Sequence, residues 1–234
     1  MLRFLIILFS LFTAHAAKAD SYFVAKSGDD NNDCLSDNSP CATWQHAIDL
    51  CPGGPKACAV SVAAGVYIEN PSVNYYKIVV VTGDCASITA VTLKGTLYGQ
   101  DHSIVGIQCA QVKAISTRQY AIMDHFFVTF ADNPGGFHIS ANESSKINCL
   151  SAEYISGDAA YHLGATGMSQ ISSNCTVTLL GETHTFSAFG YAVRLSYINA
   201  NDIMVNGTSV GAKCIVDATS VIDGSVSFPG FGSC

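Results

Sequence analysis

Two stretches of this chain lie over one another at an offset of 24 residues. GFHISANESSKINCLSAEYISG (Gly136 to Gly157) aligns with AYHLGATGMSQISSNCTVTLLG (Ala160 to Gly181). The offset sets Phe137 on Tyr161, His138 on His162, Ile139 on Leu163, Ile147 on Ile171 and Ile155 on Leu179. A weaker echo follows at HTFSAFG, His184 to Gly190. A period of this length that carries several short strands suits one turn of a parallel β-helix. Each turn buries its inward face only by stacking on the next, at about 4.8 Å per turn. The rest of the chain agrees with that reading. Runs such as VSVAAG, IVVV, AVTL, FFVTF and VTLL are strand formers, and Gly, Asn, Asp and Ser clusters separate them. The expected fold is all-β: a right-handed parallel β-helix over residues 59–234 of roughly seven turns, about 34 Å long.

Residues 1–19 read as a signal peptide. Arg3 supplies the positive end, Phe4 to Phe12 the apolar core, and Ala17-Lys18-Ala19 the cleavage site. No other stretch is long and apolar enough for a membrane span. The expected location is therefore secreted, periplasmic or at the cell surface. Acidic residues outnumber basic ones 18 to 11, and the net charge of −7 becomes more negative once Arg3 and Lys18 leave. That balance argues against nucleic acid, whose phosphates need clustered Lys and Arg. It also repels polyanionic sugars unless a cation bridges them.

Ten cysteines without a CxxC pair read as a disulfide framework in an exported chain. Spacing suggests Cys34 with Cys41, Cys51 with Cys58, Cys85 with Cys109, Cys149 with Cys175 and Cys214 with Cys234. The last three pairs are separated by about one turn of the helix. Other connectivities stay open on sequence alone.

Residues 20–58 differ from the repeats. SPCATWQHAIDLC, Ser39 to Cys51, predicts a short amphipathic helix with Ser39 as N-cap, Pro40 at N1, and Trp44, Ala47, Ile48 and Cys51 on one face. The helix would cap one end of the solenoid. YFVAKSGDDNNDCLSDNSPCATWQHAID as a whole resembles the N-terminal element of secreted right-handed parallel β-helix proteins of the pectate-lyase-like superfamily. Gly28, Asp30, Asn32, Asp33, Pro40, Ala42, Thr43, Gln45, Ala47 and Ile48 stand at the matching positions, with Cys34 where that family often has Gly. VSVAAGVYIEN resembles the first full turn. The resemblance implies that the Asp/Asn cluster closes turns within a cap. The same cluster makes Asp29, Asp30 and Asp33 candidate calcium ligands, the one cofactor the sequence suggests.

The superfamily holds uronate lyases, polysaccharide hydrolases, tailspikes and adhesins, so the resemblance does not choose a function. A lyase needs a basic side chain for proton abstraction, and Arg118 is the candidate. The hydrolase motifs N-T-D, an Asp pair, G-H-G and R-x-K are absent from the repeats. Asp101-His102 and Asp124-His125 repeat 23 residues apart, so the dipeptides are candidates for a stacked acid–base or metal-binding pair. His138 and His162 read as a partly buried ladder. Tyr75, Tyr76, Tyr98 and Tyr120 are candidates for stacking on sugar rings. Asn142, Asn174 and Asn206 begin sequons. The expectation is a binding or surface protein that contacts a polysaccharide, a cell-surface glycan or another partner. The alternative is a small lyase or glycoside hydrolase.

Overall fold

In a computed structural model of the chain, the described residues are 20–173, 175–181, 183–200 and 203–223. The segment read as a signal peptide and Cys234 lie outside them. The expected parallel β-helix with an N-terminal helical cap is formed, with about seven turns. Every pairing between strands is parallel, and each strand lies on its counterpart one turn away. Among the described residues no helix is long and apolar enough to cross a membrane.

Three walls enclose the core, and one apolar ladder runs along each. On the first wall Cys58, Val79, Val105, Met123, Ile147, Ile171, Ile198 and Ile222 stack in register. On the second, Tyr67, Leu93, Val112, Phe130, Ile155 and Leu179 do the same. On the third, Leu97, Ile115, Ile139 and Leu163 lead to Gly190. Burying each of these aliphatic or aromatic side chains is worth about 1.5–3 kcal/mol. The 24-residue alignment is confirmed residue by residue, since Phe137 faces Tyr161, Ile139 faces Leu163, Ile147 faces Ile171 and Ile155 faces Leu179.

One corner has an unusual backbone. Tyr75-Tyr76, Asp101-His102, Gln119-Tyr120, Glu143-Ser144, Gly167-Met168 and Arg194-Leu195 all take positive φ, between 52° and 66°. Eleven of these twelve residues are not Gly or Asn and pay a steric cost there. The corner offsets that cost through a backbone ladder. In five of the six pairs the second residue donates its N–H to the carbonyl of the first residue one turn on: Tyr76 to Asp101, His102 to Gln119, Tyr120 to Glu143, Ser144 to Gly167, Met168 to Arg194; Leu195 donates to Thr219 Oγ1.

Four of the five expected disulfides are present: Cys34–Cys41, Cys51–Cys58, Cys85–Cys109 and Cys149–Cys175, with Cα separations of 5.1, 5.7, 4.7 and 5.8 Å. The fifth expected pair, Cys214 with Cys234, involves a residue outside the described ones.

The cap helix spans Trp44–Leu50 and begins later than the sequence suggested. Its N-cap is Thr43, whose Oγ1 accepts from His46 N. Ser39 and Pro40 stay outside because Cys41 is drawn into strand-like pairing with Val24 and bonded to Cys34. Asp30 then fixes the turn, accepting from Ala42 N, Thr43 N and Thr43 Oγ1. Glu69, from the first turn of the solenoid, accepts from Trp44 N and Gln45 N at 2.9 and 3.1 Å. A carboxylate therefore sits where the first turn of the helix leaves its N–H groups unpaired. Trp44, Ala47 and Ile48 are buried against the first coil.

Candidate functional site

The structure takes the candidate residues apart. Ile104 stands beside Ile122, an offset of 18, because this turn of the helix is shorter than its neighbours. Asp124 therefore faces Gly106 and His125 faces Ile107. Asp101 and His102 lie on the left-handed corner, in line with Gln119 and Tyr120. The expected Asp–His stack is not formed. Asp124 and His125 also point to opposite sides of one strand, as alternation requires. Asp124 Oδ1 accepts from Asn148 Nδ2 on the outer face, at 2.6 Å, whereas His125 is 1% exposed. Arg118 donates through Nε to Gln100 Oε1 at 2.6 Å, and no ion pair to it is formed among the described residues.

Asp29, Asp30 and Asp33 do not converge on a common point. Asp29 accepts from Asn31, Asp33 from Leu35 N, and Asp30 from Ala42 and Thr43. Each carboxylate closes its own turn, as expected of short acidic side chains in a cap. Among the described residues, the ligand groups that do cluster lie elsewhere.

His102 is stacked between Tyr76 and Tyr120, with centroids 5.0 Å apart on each side and planes within 8° of parallel. Both faces of His102 and one face each of Tyr76 and Tyr120 are covered by the stack, and the two tyrosines are exposed. Tyr75 is exposed beside it, while Tyr98 is half-buried on the third wall. Exposed Ile104 and Ile122 follow His102 and Tyr120 by two residues and continue the apolar surface onto the first wall. Of the sequons, Asn142 is committed internally: its Nδ2 donates to Ser140 Oγ and its Oδ1 accepts from Thr166 Oγ1. Asn206 is exposed, and Asn174 lies outside the described residues.

The strongest cluster of ionisable groups is inside the core, and its central member, Glu153, escaped the sequence reading. Glu153 is fully buried between two imidazoles. Its Oε1 is 2.7 Å from His162 Nε2 and its Oε2 is 2.9 Å from His125 Nε2. His162 Nδ1 lies 3.2 Å from His138 Nδ1, and His138 Nε2 lies 3.1 Å from the Ala131 carbonyl. Phe130 packs against all three imidazoles, and Phe186 and Phe189 close the far side of His162.

Hydrogen-bond accounting assigns the protons. A carbonyl only accepts, so His138 Nε2 donates to Ala131. Burial, reinforced by the charge of His162, pushes the His138 pKa down to about 3. A neutral His138 then accepts at Nδ1, and His162 Nδ1 donates to it. Burial alone would raise the Glu153 pKa. The charge of His162, together with the hydrogen bonds from His125 and His162, outweighs it and holds the carboxyl well below its ordinary range. An ionised carboxylate only accepts, so His162 Nε2 donates as well. Both nitrogens of His162 are thus hydrogen-bond donors in the core. His125 donates through Nε2 and is left with a buried Nδ1 that has no partner.

The repeat alignment carried the signal for Glu153. It stacks on Val177 one turn later and on Val128 one turn earlier, both inward positions. An acid in an inward register must be buried, and must therefore find a partner.

Comparison with protein families, curated proteins and solved structures finds no match to this chain.

Proposed function

We propose that the chain is an exported, non-catalytic binding protein that presents the outer face of its solenoid to a partner. One observation carries the reading. The imidazoles that meet a carboxylate at 2.9 Å or less, His125 and His162, are sealed in the core at 1% exposure or less. A polysaccharide cannot reach them. On the surface, His102 is held between two tyrosines, and Arg118 and Asp124 are hydrogen-bonded to amide side chains. Among the described residues none of these three is paired with a second acid or base, as general catalysis needs.

The face best suited to contact is the corner of Tyr76, His102 and Tyr120 with the neighbouring Ile104 and Ile122. Sugar recognition by stacking needs free ring faces, and here both faces of His102 and one face of each tyrosine are covered. Ring edges beside exposed aliphatic side chains suit an apolar protein surface better. A protein partner is therefore favoured over a glycan. The signal segment expected from the sequence and the disulfides support an exported setting.

The test combines two measurements on the purified chain. Reducing ends and unsaturated products are followed on acidic and neutral polysaccharides, and binding is followed on a glycan array. The reading expects neither turnover nor glycan binding that depends on the corner. Turnover lost in His102→Ala would replace it with an enzyme. Glycan binding lost in Tyr76→Ala/Tyr120→Ala would keep the binding function and exchange the partner.

A further inference from the structure

We propose that Cys149, Cys175 and His125 form a second-state site for a thiophilic divalent cation such as zinc, closed while the two cysteines are bonded to each other and opened by a dithiol reductant. Cys149 is the in-register neighbour of His125 on the next turn. A ring nitrogen of His125, Cys149 Sγ and a Glu153 carboxylate oxygen lie within 4.8 Å of one another, and all three residues are buried. Cys175 is bonded to Cys149 and so brings a second sulfur to the same point. Its Sγ also lies 3.3 Å from Ser173 Oγ.

His125 points to a ligand independently of the cysteines. Its Nε2 is taken by Glu153 Oε2, while its Nδ1 is buried and has no partner. Imidazoles that bind metals commonly hold one nitrogen on a carboxylate and offer the other to the ion. Glu153 would orient the ring and raise its basicity, and Nδ1 would bind. Zinc takes sulfur at about 2.3 Å and nitrogen at about 2.0 Å, so tetrahedral ligand atoms sit about 3.5 Å apart. Nδ1 and the two sulfurs would take up those separations in the reduced chain. Ser173 Oγ or a water completes four ligands.

In the oxidised chain neither sulfur is a thiolate, and thiolates are what bind zinc. A dithiol gives two electrons and two protons to the bond. It becomes a disulfide itself and leaves Cys149 and Cys175 as thiols. Binding of one cation then releases both thiol protons. The ion would hold two adjacent turns together in the reduced chain, where the covalent link is missing. Cys34, Cys41 and His46 also cluster. There, however, His46 has no orphaned buried nitrogen, so nothing further points to an ion.

The test keeps the other disulfides closed. In the oxidised chain, Cys175→Ser frees Cys149 and Cys149→Ser frees Cys175, with no reductant present. Each variant is titrated with cobalt(II), and sulfur-to-cobalt absorption is recorded in the near ultraviolet. The expected result is one cobalt per chain in both variants, none in the unmutated oxidised chain, and at least tenfold weaker uptake once His125→Ala is added. Circular dichroism monitors folding. A serine variant that folds only when zinc is present during refolding also supports the site. Three results would overturn it: folded variants that take up no cobalt, uptake that ignores His125→Ala, and variants that fail to fold with or without zinc.

Discussion

Glu153 Oε1 lies 2.7 Å from His162 Nε2 in a part of the core closed to solvent, nine residues apart in the chain and on two different walls of the solenoid. Strands of this fold repeat a position on every turn, yet this pair crosses the lumen. It ties one wall to another by a hydrogen bond, where the apolar side chains of the walls meet by packing alone. Removing one partner of such a pair leaves a buried charge without compensation. Glu153→Gln should cost about 3–5 kcal/mol in denaturant unfolding. A double-mutant cycle with His162→Gln should return a coupling of about 2–3 kcal/mol. Additive losses would show that the two side chains act independently.

The same cluster predicts an acid-sensitive fold. The folded-state pKa of His138 is lowered to about 3, from its ordinary value of 6.5. A histidine depressed on folding stays neutral in the folded chain and takes up its proton on unfolding. Its contribution is fully present above about pH 6.5 and is lost as pH falls toward 3, at up to about 1.4 kcal/mol per pH unit. Glu153, depressed in the folded state as well, adds to the loss below its ordinary carboxylate range. Melting temperature should therefore fall between pH 6.5 and 4, before most surface carboxylates titrate. His138→Phe should flatten that slope. An unchanged slope would mean that other groups carry the acid response.

How much of this was visible beforehand depends on turn length. Between Gly136 and Gly181 the turns are equal, so hydrophobic matching alone set His138 on His162 and gave the correct register. Between Ile104 and Ile122 the turn shortens to 18 residues, and the match of Asp101-His102 with Asp124-His125 at 23 became misleading. A dipeptide carries too little pattern to detect such a change. The motif around the corner carries more: DHSIV, QYAIM, ESSKI, GMSQI and RLSYI share a left-handed pair, a small residue and an inward aliphatic. Aligning on those segments gives the true register. The late start of the helix was less accessible, because it depends on Asp30 and Glu69 reaching it from distant segments.

The left-handed corner predicts a stabilising substitution. Ser144 holds φ at 62°, and its side chain makes no hydrogen bond that the corner depends on. Glycine meets no steric penalty there. Ser144→Gly should raise stability by roughly 0.5–1 kcal/mol. His102→Gly relaxes the same strain but removes both ring stacks, each worth about 0.5–1.5 kcal/mol, and should destabilise instead. If both glycine variants move in the same direction, backbone strain and not stacking governs the corner.

The cap makes the final prediction. Trp44 is fully buried against Tyr67, with ring centroids 5.9 Å apart, and its Nε1 is buried without a partner. Trp44→Ala should cost about 3–5 kcal/mol through the cavity it leaves. Trp44→Phe should cost much less, because it keeps an aromatic ring and removes an unsatisfied N–H that already opposes folding. Glu69→Ala and Asp30→Ala should each cost about 1–2 kcal/mol by uncapping the helix and its turn. The carboxyl of Asp30 is held below its ordinary range: partial burial opposes this, and the bonds from Thr43 and Ala42 outweigh it. Part of the Asp30 contribution should therefore vanish as pH falls below the ordinary carboxylate value. Neither loss should depend on calcium, since these oxygens already accept from backbone and hydroxyl donors. A melting temperature that rises with calcium in the unmutated chain, and not in Asp30→Ala, would instead place an ion in the cap.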